Sequence, residues 1–159
     1  MKSENISKNK DVVNSFGAIA LANPFGEDDA HPVIELEGIG PEYSKALLAI
    51  GIEDTKQLWE ANAFTMAKKT GAPLASVKSW QNMAELSCVK DIGPQYSELL
   101  ERSGVHNIKQ LKDYTAKTLL ELVLEKEDSL KINIQGNTPG HDLVKNWIDQ
   151  ARKHKFSSS

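Results

Sequence analysis

Two short stretches of this chain could do chemistry with their backbone alone. Gly38-Ile39-Gly40-Pro41 and Asp91-Ile92-Gly93-Pro94 each place an apolar residue inside a tight turn and a proline directly after it. Glycine accepts backbone angles that other residues resist, so such a turn lets two helices meet closely. Proline suits the first position of a helix, where the missing N–H has no intrahelical partner to lose. The turn then ends at a helix N-terminus, whose unpaired amides form an anion site. On this reading the phosphate-binding candidates are Gly38, Ile39, Gly40 and Lys45 at the first turn, and Ile92 and Gly93 with Lys90 at the second.

The two turns belong to a longer duplication. Gly40-Pro41, Tyr43-Ser44, Leu47, Gly51 and Lys56-Gln57-Leu58 recur 53 residues later as Gly93-Pro94, Tyr96-Ser97, Leu100, Gly104 and Lys109-Gln110-Leu111. A second landmark, Val77-Lys78-Ser79-Trp80 with Ala84, returns as Val144-Lys145-Asn146-Trp147 with Ala151, now 67 residues on. The second copy is thus longer by 14 residues, placed within 125–138. A repeat of this length is one supersecondary unit used twice. Residues 33–86 form the first unit and 87–155 the second. Residues 1–32 are an N-terminal arm with an acidic linker, and 156–159 are a tail.

Local signals make both units helical. Helices start at Pro41 and Pro94 and stop at Gly51 and Gly104, where glycine suits a left-handed end. Asp54 and Asn107 each precede a glutamine by three residues, the pattern of a capping box. Leu74, Val77, Trp80 and Ala84 share one helical face, as do Leu143, Trp147 and Ala151. Leu119–Leu124 sits in a helical, charged context. Lys131-Ile132-Asn133-Ile134 alternates but is too short to build a sheet. The expectation is an all-α chain.

The pattern around Gly38, from Ile34 and Leu36 to Ser44 and Leu47, resembles the helix-hairpin-helix motif. With its second copy and the two Val-Lys-x-Trp helices, the chain resembles a bacterial family of duplicated helix-hairpin-helix proteins known as domain of unknown function 4332. The resemblance spans about 33–155. It implies tandem helix-hairpin-helix units related by a pseudo-twofold, and it supplies no settled function. In motifs of this kind the anion held by the turn is a nucleic-acid phosphate, and the turn carbonyls sometimes hold a monovalent cation. No other cofactor is expected.

The charges argue against strong phosphate binding. Asp91 stands where the first copy has Gly38, and Glu98 stands where it has Lys45. Glu37 and Glu42 flank the first turn. Phosphate contact supplies most non-specific affinity for nucleic acid, and carboxylates beside the turn oppose it. The net charge of −3 likewise advertises no basic footprint.

Other chemistry finds little support. The four histidines show no metal-ligand spacing with each other or with the single cysteine, Cys88. No nucleophile stands with a base and an orienting group. A chain with one cysteine forms no internal disulfide, which fits a reducing, cytoplasmic setting. No stretch has the length and apolarity of a membrane span. Trp80 and Trp147 could stack bases, but their matched helical positions read as core.

The arm carries the remaining signal. Val12, Val13, Phe16, Ile19 and Leu21, with Ala20, recur at helical spacing outside the repeat, followed by the turn-rich Asn23–Asp29. They are candidate partner-docking residues, with packing back onto the domain, or disorder, as the competing reading. The expected function is a non-catalytic module for protein interaction or self-association, with weak, sequence-independent DNA or RNA binding at the hairpins as the alternative.

Overall fold

The computed structural model describes residues 23–130 and 138–156. Within them the chain is all-α. A single 3₁₀ turn, Val33–Glu35, precedes eight helices: α1 Pro41–Ala49, α2 Thr55–Glu60, α3 Ala63–Thr70, α4 Leu74–Leu86, α5 Pro94–Arg102, α6 Ile108–Lys112, α7 Ala116–Leu130 and α8 His141–Lys153. An isolated antiparallel bridge joins Pro32 and Asp54. The candidate docking residues Val12, Val13, Phe16, Ile19 and Leu21 lie outside the described residues, as does Lys131–Ile134.

The helix boundaries follow the sequence signals atom by atom. Pro41 and Pro94 occupy the first helical turn of α1 and α5. Both helices end on a left-handed glycine, Gly51 at φ 86° and Gly104 at φ 100°. At each end the next residue folds back, with Ile52 N donating to Leu47 O and Val105 N to Leu100 O, both at 2.9 Å. That six-to-one bond is the Schellman ending, and it satisfies a carbonyl the helix leaves orphaned. The capping residues act as expected too. Asp54 Oδ1 accepts from Gln57 N at 2.8 Å and Asn107 Oδ1 from Gln110 N at 2.8 Å. The glutamines reach back, Gln57 Oε1 accepting from Glu53 N at 2.7 Å and Gln110 Oε1 from His106 N at 2.8 Å.

The two halves use the same neighbours. In the first, α1 packs on α3, and α4 packs on both α2 and α3. In the second, α5 packs on α7, and α8 packs on both α6 and α7. The contact between α4 and α5 joins them. Trp80 on α4 and Trp147 on α8 are both buried, at 3% and 0% exposure. Each meets a tyrosine from the helix after its turn: Tyr43–Trp80 centroids are 5.1 Å apart at 60°, and Tyr96–Trp147 centroids 4.9 Å apart at 56°. Such tilted pairs are favoured by the ring quadrupole beyond their buried area.

Two features depart from local expectation. Helix α3 buries Met66 and leaves Phe64 exposed. Its signals are its ends, Asn62 accepting from Thr65 N at 2.9 Å and Gly71 closing it at φ 81°. The acidic linker also packs against the helices. Phe25 is 2% exposed and lies 6.2 Å from Trp59 by ring centroids. The extra length of the second copy goes partly into α7, with 15 residues against 8 in α3.

Candidate functional site at the two glycine turns

The turns are built alike. Gly38 has φ 89°, and Asp91, at the matching position, has φ 72°. Aspartate tolerates this left-handed conformation better than most residues, because its short polar side chain finds local partners. Here the partners come from α8. Asn146 Nδ2 donates to Asp91 Oδ2 at 2.8 Å, and Trp147 Nε1 donates to Asp91 O at 3.3 Å. At the first turn, a Cβ on Gly38 would sit 3.7 Å from Trp80 Nε1, so the tryptophan approaches from the same side.

Backbone bonds inside the turns also match. Leu36 N donates to Val33 O and Ile39 N to Leu36 O; Val89 N donates to Leu86 O and Ile92 N to Val89 O. The Ile39 and Ile92 amides are engaged within their own turns, and both side chains are buried at 3% exposure. They shape the turn and anchor it in the core. Neither Gly40 nor Gly93 supplies a side-chain cap to its helix. The first-turn amides of α1 and α5 are therefore the ones left for solvent or a ligand. Lys45 and Lys90 are exposed.

Carboxylates occupy the space in front of the first turn. A cleft of about 320 Å³ is lined there by Glu37, Gly38, Tyr43, Trp80, Glu98, Glu101 and Arg102, among others. Its acids come from both halves of the chain. Burial pushes the Glu98 carboxyl above its ordinary range, and neighbouring Glu37 pushes it further; Arg102, at 3.5 Å, opposes the shift. Glu101 accepts from Ser79 Oγ at 2.7 Å and lies 3.2 Å from His106 Nδ1. The sequence places Glu98 beside the motif. It does not show that Glu101, one helical turn on, joins Glu37 across the α4–α5 contact.

The second turn borders a larger cleft of about 550 Å³. Lys90 and His31 line it, but so do Asp28, Asp29, Glu35 and Asp91. Cys88 lies at this cleft yet is only 5% exposed. Its thiol is held well above the usual range, chiefly by burial and then by Asp29 and Glu85. The thiolate is the reactive form, so Cys88 is a packing residue. Among the described residues no three His, Cys, Asp or Glu side chains group as a metal site. No helix among them is long and apolar enough to cross a membrane.

A family model described as "Domain of unknown function (DUF4332)" matches residues 37–154. The chain belongs to the DUF4332 family. No curated protein and no solved structure matches it. The DUF4332 match begins at Glu37, directly before the first turn, and ends at His154, so it takes in both turns and both tryptophan helices. Asn23–Leu36 precedes it, although Phe25, Val33 and Leu36 belong to the same core.

Proposed function

We propose that this DUF4332 chain is a tandem helix-hairpin-helix module, two units related by a pseudo-twofold, that acts in protein interaction or self-association. The paired turns, the paired Schellman endings and the paired Tyr–Trp contacts support the duplication. The first hairpin enters from the single turn Val33–Glu35, where the second enters from the full helix α4.

One observation carries the functional reading. The turn where phosphate would bind faces Glu37, Glu98 and Glu101, with Arg102 the basic residue lining that cleft. A helix N-terminus attracts anions by less than about 2 kcal/mol even in favourable sites. The carboxylates that line the same cleft offset that attraction. The hairpins on this account are structural corners, and the interaction surfaces lie elsewhere, with the arm the leading candidate.

The arm supplies the test. A deletion that probes it must end at residue 22, because Phe25 is part of the core. Sedimentation of the full chain should show concentration-dependent association, and removal of residues 1–22 should abolish it while helicity survives. A full chain that stays monomeric at every concentration, with no change on deletion, removes the arm from the self-association account.

A further inference from the structure

We infer that Asn23–Phe25 is a releasable clasp that ties the first half of the domain to the end of the last helix and covers an apolar seat at Trp59. Its contacts reach far along the chain. Asn23 Nδ2 donates to Glu60 Oε2 at 2.9 Å, and Phe25 packs on Trp59, both beside or within α2. His154 Nε2 lies 2.6 Å from Pro24 O, across 130 residues of sequence. A carbonyl only accepts, so this imidazole nitrogen carries the proton and donates. His154 is itself braced edge-on against Phe156, with centroids 5.2 Å apart at 86°. Three consecutive residues thus hold both ends of the described chain.

Several features make the clasp separable from the helices behind it. Pro24 has no N–H to place in a backbone ladder. The Phe25 amide turns onto Asn23 Oδ1 at 2.8 Å, a bond inside the clasp itself. Gly26, Glu27 and Asp28, which follow, are exposed and form a hinge of turn-favouring residues. A short segment at the edge of the fold, followed by exposed residues, opens at lower free energy than a packed helix. Opening would uncover the Phe25 and Trp59 rings, which are 2% and 7% exposed when closed. Tension or binding on the residues before Asn23 would thereby be felt at Trp59 and at the end of α8.

Native-state hydrogen exchange on the full chain tests this. The Phe25 amide should exchange at least about 100-fold faster than the amides of Leu47 and Leu100, through local opening. His154→Ala should speed Phe25 exchange by about fivefold, the worth of one hydrogen bond, and leave Leu100 unchanged. His154→Gln, which keeps an N–H donor, should restore slow exchange at Phe25. Equal protection of Phe25 and Leu100 in the unaltered chain would overturn the proposal. So would acceleration of both amides by the same factor in His154→Ala, since the segment would then open only with the whole fold.

Discussion

Trp147→Ala is expected to cost about 4 kcal/mol of folding stability, in the range for removing a fully buried aromatic side chain. Trp147 is the largest side chain with no exposure, and it joins three elements at once. Its ring packs on Tyr96 of α5, its Nε1 donates to the Asp91 carbonyl, and its own helix α8 lies against α6 and α7. A chain of this size loses roughly 2–4 °C of melting temperature per kcal/mol, so a fall of about 10 °C or more should appear in a thermal melt followed by circular dichroism. Trp80→Ala should cost nearly as much, because Trp80 occupies the matching place against Tyr43. Losses below about 1 kcal/mol, the level of a surface change, would show that neither ring is the keystone of its half.

Glu85→Ala should cost about 3 kcal/mol, through the loss of two hydrogen bonds to a carboxylate. Glu85 lies near the end of α4, between the halves. Its Oε1 accepts from Trp59 Nε1 at 3.1 Å, and its Oε2 accepts from Ile108 N at 2.9 Å. The first half solves the matching problem differently, since Thr55 N donates to His31 O at 2.8 Å. A side-chain carboxylate in one copy thus does the work of a backbone carbonyl in the other. Glu85→Gln retains one acceptor oxygen and should lose about half as much in a denaturant titration. Equal losses for the two variants would mean that the carboxylate's charge, not its pair of hydrogen bonds, does the holding.

The parts of this fold that the sequence announces are those governed by local chemistry. Gly51 and Gly104 stop helices because glycine adopts the left-handed ending without a Cβ penalty. Asp54 and Asn107 start helices because their side chains accept the third amide on. The tryptophans are legible because the same residue recurs at the same place in both copies. Helix α3 escapes notice because it is only eight residues long and buries Met66 while its other large apolar residue, Phe64, stays exposed. Phe25 escapes because its neighbours Pro24 and Gly26 read as linker, while the contact that buries it, Trp59, lies 34 residues away. The acid-lined cleft escapes for the same reason, since Glu37 meets Glu98 and Glu101 only after α4 and α5 pack. Asp91 is the informative intermediate. Its charge is visible in the sequence, but its bond to Asn146, and hence its place in the architecture of the turn, is not.

We propose that the glycine turns of this chain are corners of a scaffold, with carboxylates set against the binding of phosphate there. The most direct measurement is a titration of fluorescein-labelled duplex DNA with the full chain, read by anisotropy across a salt series, beside the variant Glu37→Lys/Glu98→Lys. Non-specific binders sit at about 10⁻⁴–10⁻⁶ M at physiological salt. The unaltered chain should fall at or beyond the weak end of that range. The variant should bind more tightly, with an affinity that falls steeply as salt rises. Submicromolar binding by the unaltered chain at physiological salt would contradict the account.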